Sequence, residues 1–331
     1  MDKSSENENN PGRYPMLMLP AFKDYIWGGD RLPNEFGKVT GLRPVAESWE
    51  VSCHPDGPSV VANGAYSGRP LAAVLDERPE WIAPGSAGAS RFPILIKLID
   101  ARQNLSLQVH PNDVYARARE NDNGKNEAWY IIDCKPGAGL IMGLRDVAGN
   151  EGIPEMIANG AILEHAVTVP VKPGDCYLVP AGLLHSICGG VLIAEVQQSS
   201  NVTYRVYDYG RVGADGKPRR LHVERAADVI DGALRARNCA DFAVARRCDG
   251  YDLTPLADWP FFKLSALDID GAAAVACDAS FHALLATDGA FVISCPAALD
   301  VAAAKGDSVF IPAGLGKYTI AGRGRVLLAT A

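Results

Sequence analysis

The chain has no apolar run long enough to span a bilayer, no Cys-x-x-Cys pair and no excess of positive charge. Each absence removes a class of function. A transmembrane helix needs about 20 consecutive apolar residues, so no membrane span is expected. The opening stretch, MDKSSENENNPGRYP, lacks the apolar core of a secretory signal. Residues 1–12 read as a disordered lead-in. The 8 cysteines are scattered over 331 residues. That pattern predicts buried or idle thiols in a reducing compartment, the cytoplasm, and not a disulfide framework. With 32 Lys and Arg against 39 Asp and Glu, the net charge is -7. This argues against general affinity for nucleic acid or anionic membranes. An anionic small molecule stays admissible, because a few local cations suffice to hold one phosphate.

What is present is an ordinary globular composition, 48% hydrophobic and 21% charged. The length favours two domains. Short strands with glycine and proline turns recur along the chain. Trp27-Gly28-Gly29 reads as a loop where backbone is approached closely. Residues 70–77 predict a short helix, and FPILIKLI (92–99) a buried strand. Lys97 within it needs an anionic partner or a route to solvent. A helix starting at Pro154 should stop at Asn159-Gly160. Residues 219–236, RRLHVERAADVIDGALRA, predict an amphipathic helix linking two domains.

One stretch combines several chemical side chains. Side chains alternate along a strand, so in Leu105–His110 Gln108 and His110 leave one face and Leu107 and Val109 the other. Glu127 opens the next strand-like run, EAWYII. An amide, an imidazole and a carboxylate in one pocket suit a divalent metal of the zinc kind. A fourth ligand comes from an internal repeat. Gly174-Asp175, Pro180-Ala181-Gly182 and His185 are matched, with the same spacing, by Gly306-Asp307, Pro312-Ala313-Gly314 and Lys317. The first copy keeps a histidine and the second does not. The expected metal ligands are therefore Gln108, His110, Glu127 and His185. The remaining histidines, His54, His165, His222 and His282, read as ordinary surface or core residues.

The corner G-x5-P-x-G-x2-H resembles the second sequence motif of the cupin superfamily. It implies a mainly β fold of two cupin-like jelly-roll β-barrels with a few short helices between and around them. The expected division is a metal-bearing barrel at 13–218, a linking helix at 219–238 and a second barrel without a metal site at 239–331. The stretches LSLQVHPND, GKNEAWYIID, PAGLLHSI and NVTYRVYDYGR resemble the type I phosphomannose isomerases, in their short bacterial form. IWGG and ESWEVS fit the same family. The resemblance implies interconversion of mannose 6-phosphate and fructose 6-phosphate with one bound Zn2+, and a hexose phosphate as the partner. By position it also implies that Lys125 is catalytic and that Arg205 is an active-site arginine. Ser106 and Lys97 match positions at the phosphate end of the pocket, and Trp27 and Glu47 match pocket-lining positions.

The chemistry of an aldose–ketose isomerisation agrees. It needs a base near C1 and C2 and a cation to hold the developing oxyanion. Lys125 shares a face with Glu127 and is one candidate base; a water or a carboxylate is another. Arg205 would stabilise the enediolate or grip phosphate, or else pair with Asp208. Lys97 and Ser106 on buried strands would be satisfied by a phosphate, and Lys97 equally by an internal acid. Two rival readings are a cupin dioxygenase and a sugar-phosphate-binding cupin with a structural metal. Lysine and arginine near the metal, and glutamine where a third histidine is usual, weigh against the dioxygenase.

Overall fold

A computed structural model describes residues 12–88, 92–147, 152–213, 216–296 and 298–331. The expected N-terminal tail lies outside these residues except for Gly12. The architecture of the described residues is mainly β, with three antiparallel sheets of nine, seven and five strands. No sheet closes on itself among the described residues, so the expected jelly-roll barrels are built here from open sheets. All eight cysteines are free thiols. Among the described residues no helix is long and apolar enough to cross a membrane.

The described residues form two compact units that are not consecutive in sequence. Of the described residues, one comprises those within 22–49 and 93–243, the other those within 12–21, 50–92 and 244–331. The linear division at 218 and 239 is thus corrected: two N-terminal segments cluster with the C-terminal barrel residues. The linking helix is also corrected. Of residues 219–236 only Val223–Val229 is helical. Ile230 turns to extended backbone, and the helix packs on the Tyr204–Tyr207 strand and the Ile153–Asn159 helix of its own unit. Seven residues cannot sustain a helix alone, so packing of Ala226 and Ile230 decides its length. The Ile153–Asn159 helix carries Pro154 in its first turn and ends at left-handed Gly160, as expected.

In the first unit the seven-stranded sheet places Cys176–Val179, Glu127–Cys134, Val191–Gln198, Ile94–Ala101 and Glu47–Val51 side by side. The five-stranded sheet runs Tyr204–Tyr207, Leu107–Val109, His185–Ile187, Gly139–Leu144, Ala166–Pro170. Alternation assigns the faces. Leu107 and Val109 bury in a core with Ile141, Leu184, Tyr204 and Val206, which leaves Gln108 on the other face. Trp129, Ile131, Ile99, Val179 and Ile193 form a second core in the same unit.

In the second unit the long strands Lys263–Cys277, Gly316–Thr330 and His282–Ser294 carry the sheet. Its core holds Leu284, Phe291, Ile293, Val309, Ile320 and Val326. Phe92, Phe281 and Phe310 cluster with centroids 4.9 to 6.0 Å apart.

The repeat is real in three dimensions. Asp175 Oδ2 accepts from the Lys172 N–H at 2.9 Å, and Asp307 Oδ2 from the Ala304 N–H at 2.8 Å. Pro180 O accepts from Leu183 N at 3.0 Å, and Pro312 O from Leu315 N at 3.1 Å. Gly182 and Gly314 hold φ of 91° and 75°. That left-handed backbone favours glycine at the turn.

Candidate active site

Antiparallel pairing sets His185 opposite Gln108 on one side and Met142 on the other. His110 follows Gln108 by two residues, and Glu127 opens the neighbouring sheet's strand. Each histidine is oriented from behind. His110 Nδ1 lies 2.9 Å from Val202 O, and His185 Nδ1 2.8 Å from Leu183 O. A carbonyl only accepts, so each Nδ1 carries the proton and each Nε2 presents a lone pair.

These lone pairs face one another. The two Nε2 atoms are 3.1 Å apart. Glu127 Oε1 is 3.3 Å from His110 Nε2, and Oε2 is 3.8 Å from His185 Nε2. Burial pushes the His110 imidazole down to about 3, helped by the Lys125 charge, and lowers His185 as well. Burial pushes the Glu127 carboxyl up, but the Lys125 charge and the imidazoles overcome this and hold it well below the usual range. Two neutral imidazoles and a carboxylate anion therefore converge within 4.8 Å, all fully buried. Lys125 Nζ sits 2.6 Å from Glu127 Oε1 and 3.3 Å from His110 Nε2. Even so, neither Glu127 oxygen accepts a hydrogen bond of ordinary geometry. Buried acceptors crowded against one another with too few donors are costly, and a divalent cation removes that cost. Gln108 adds an amide, with Nε2 3.5 Å from His185 Nε2 and Oε1 accepting from Ser106 Oγ at 3.2 Å. Turning the amide over would aim its oxygen at the same point. The residues present fit a zinc-type ion.

A cavity of about 260 Å³ opens beside this centre. Trp27, Glu47, Lys97, Ser106, Gln108, Lys125 and Arg205 line it, so every expected site residue except the three fully buried ligands reaches its wall. Gly28 has its close approach: a Cβ there would lie 2.5 Å from Ala46 Cα. The glycine serves the packing of the pocket wall.

Of the alternatives left open for Lys97, the internal acid is what the structure shows, while the pairing of Arg205 with Asp208 comes out differently. Lys97 pairs with internal acids, Glu195 Oε1 at 3.1 Å and Glu47 Oε2 at 3.6 Å. Burial works against its charge, but Glu195 and Glu47 more than compensate and raise its pKa. Asp208 pairs with Arg211 and Arg219. Arg205, opposite Gln108 in register, donates to Arg220 O and has no carboxylate in ion-pair contact among the described residues.

Sequence reasoning missed Glu195, Trp129 and Arg219. Cross-strand register lines up Lys97, Glu195 and Trp129. Trp129 Nε1 donates to Glu195 Oε2 at 2.8 Å, and Trp49 Nε1 to Glu47 Oε2 at 2.7 Å. A lone carboxylate in the apolar run VLIAEV was the available signal for Glu195, by the same argument that singles out Lys97. Arg219 sits in a polar stretch, RRLH, that carries no such signal.

Comparison with known proteins is consistent over most of the chain. Residues 16–133 match the family model "Phosphomannose isomerase type I, catalytic domain", and 254–330 match "Mannose-6-phosphate isomerase, cupin domain". The mannose-6-phosphate isomerase ManA of Bacillus subtilis is 36% identical over 311 residues, 93% of this chain and 96% of that protein. A crystal structure of the mannose 6-phosphate isomerase from Bacillus subtilis superposes with a TM-score of 0.86 at 35% identity, covering 96% of this chain and 99% of that one. A zinc-bound mannose 6-phosphate isomerase structure shares the fold at 17% identity, with a TM-score of 0.75 and coverage of 96% and 99%.

Proposed function

The chain belongs to the type I phosphomannose isomerase family, and from that membership and its site we infer that it interconverts mannose 6-phosphate and fructose 6-phosphate with one divalent metal, zinc. The observation that carries this reading is the convergence of His110, Glu127 and His185 lone pairs beside Lys125 and a polar cavity.

The reaction removes the proton on C2 of the aldose, passes through an enediol and returns a proton to C1. The hydroxyl proton moves from O2 to O1, so no oxidant is needed. Bound by Gln108, His110, Glu127 and His185, the metal would supply Lewis acidity to the oxygens at C1 and C2. Lys125 is the proposed proton carrier between the carbons, since it reaches both a metal ligand and the cavity. Glu195, with a carboxyl raised by burial and by the charge of Glu127, is a second proton carrier in the wall. Arg205 faces the same region from the Tyr204–Tyr207 strand and offsets negative charge on the substrate oxygens. Ser106, Trp27 and Glu47 contact the sugar, and Lys97 keeps Glu47 and Glu195 ionically paired. Eight free cysteines and a phosphorylated substrate support a cytoplasmic setting.

The test is a coupled assay with mannose 6-phosphate supplied and fructose 6-phosphate detected. Activity should vanish with chelator and return with zinc. A zinc-loaded protein that turns over no mannose 6-phosphate overturns the isomerase reading.

A further inference from the structure

The metal ligands come from two sheets, so the chain must cross between those sheets at a defined point. Gln108 and His185 are register partners in the five-stranded sheet, whereas Glu127 belongs to the seven-stranded one. The crossing is the corner at 180–184. Val179 still pairs with Glu127, and His185 already belongs to the other sheet. Pro180 has no N–H, so the ladder cannot continue past Val179. There a side chain takes over from the backbone. Asn126 Oδ1 accepts from the Ala181 N–H at 2.8 Å. On the other side Asn126 O accepts from the Gln198 N–H at 3.0 Å, next to the Val191–Gln198 ladder.

The orientation of the two amides is fixed by their partners. Asn126 Nδ2 and N donate to Gln198 Oε1 at 2.6 and 3.1 Å, and Gln198 Nε2 donates to Asp113 Oδ1 at 3.2 Å. Turning either amide over would set donor against donor and acceptor against acceptor. Asp113 Oδ1 also accepts from the Gly124 N–H at 2.8 Å. The backbone on both sides of Lys125 is thereby tied to one Gln198–Asp113 pair. The Lys125 N–H itself donates to Pro111 O at 3.0 Å. Asn126 and Gln198 are each 7% exposed, and neither lines the cavity.

The second copy of the corner shows that the turn does not require this device. There the equivalent N–H, of Ala313, donates to the main-chain carbonyl of Trp81 at 2.8 Å. A main-chain carbonyl serves the copy that lacks the histidine. The side chain between Lys125 and Glu127 serves the copy that has it.

We propose that Asn126, backed by Gln198, is a positioning residue. It holds Glu127 and Lys125 in place against the corner that delivers His185, and so sets both the metal site and the reach of Lys125. The part that concerns turnover rests on the isomerase reading; the part that concerns the metal does not.

The test is the zinc affinity of the full chain, read by competition with a chromophoric chelator, which needs no turnover. Asn126→Ala should weaken zinc binding by about 10- to 100-fold, the range for groups that orient metal ligands from behind. Gln198→Ala, which leaves the Ala181 bond in place, should lose less. The double variant should lose no more than N126A alone, because the two amides act as one unit. Wild-type affinity in N126A overturns the proposal, and so do losses that multiply in the double variant. Asn63 supplies the control, as a comparable bridge in the other unit that accepts from Leu17 N at 2.8 Å and donates to Pro15 O at 3.1 Å. Asn63→Ala should lower the urea midpoint and leave zinc affinity unchanged. An equal zinc loss in N63A would reduce the effect of Asn126 to general destabilisation and overturns the proposal. At saturating zinc, N126A should lower kcat for mannose 6-phosphate by about tenfold and change KM by less than about threefold, since Asn126 does not line the cavity. A raised KM with kcat intact counts against it equally. If N126A does not fold, Q198A decides alone, and unchanged zinc affinity there overturns the positioning role. A wild type that isomerises nothing, with N126A still losing zinc affinity, upholds that role and removes only the isomerase reading.

Discussion

The two copies of the GD-PAG corner have the same backbone hydrogen bonds and opposite surroundings. Three residues beyond the first corner, His185 is fully buried among Gln108, His110 and Glu127. Three residues beyond the second, Lys317 is exposed and pairs in register with Ala276. The interior of the second unit is apolar, with Leu284, Phe291, Ile293, Val309, Ile320 and Val326 around a void of about 10 Å³, room for one water at most. The corner is therefore a structural device that turns the chain between strands. Chemistry at it depends on what the facing strands contribute. Gln108 and Glu127 come from strands of two different sheets, and no corner motif specifies them.

The sharpest way to break this contrast is to remove the residue that distinguishes the copies. His185→Ala leaves Glu127 and His110 without their third partner. Bound zinc, measured by mass spectrometry, should fall to a small fraction of one per chain, and turnover by on the order of 10³-fold or more. Full zinc in H185A would take His185 out of the ligand set.

Next comes Lys125, which touches the ligands without being one. Lys125→Ala should retain zinc and lose turnover by about 10²- to 10⁴-fold, the range for a proton carrier. The separation between the two variants, one losing metal and the other keeping it, is the point of the measurement. Near-normal turnover in K125A would move the base to Glu195 or a water.

A smaller effect belongs to the second unit, where His282 has a structural part, with Nδ1 2.9 Å from Tyr318 Oη. Burial lowers its pKa from 6.5 to about 4, against the pull of Asp278. An unfolded chain takes up a proton in that window that the folded chain refuses. The stabilising contribution is full above about 6.5 and is lost as pH falls through about 4. Urea midpoints of the wild type should fall over this range relative to those of His282→Gln. A constant difference between the two at all pH values would show that His282 does not titrate there.

How much of this was legible follows from the same physics. Strand alternation is local, so the faces of Gln108, His110, Leu107 and Val109 could be read directly. The corner spacing is local too, and it led to His185. The pairing of Lys97 with Glu195 spans about 100 residues of chain and depends on sheet order. The sequence demanded a partner for Lys97, but only the register says which one. The helix expected over 219–236 failed for a related reason. Its amphipathic pattern is genuine, yet packing holds only Val223–Val229 in helical form. The discontinuous units were not readable at all, because Met16–Leu19 joins its sheet by pairing with Ser308–Ile311, almost 300 residues away.

The least disruptive substitution tests the contrast most directly. Lys317→His restores the full corner motif in the second copy. If the motif made the site, a second zinc would bind. The structure argues otherwise. Position 317 is exposed, its neighbour in register is an alanine, and the core of the unit is mostly apolar, with no cluster of histidine and carboxylate donors among the described residues there. One imidazole alone does not hold zinc against water, since such sites need three or four donors. K317H should therefore bind no additional metal and shift stability by no more than about 0.5 kcal/mol, as expected for an exposed position. A second equivalent of zinc in K317H would mean that the corner carries chemistry by itself, and that the strands facing it matter less than the first unit implies.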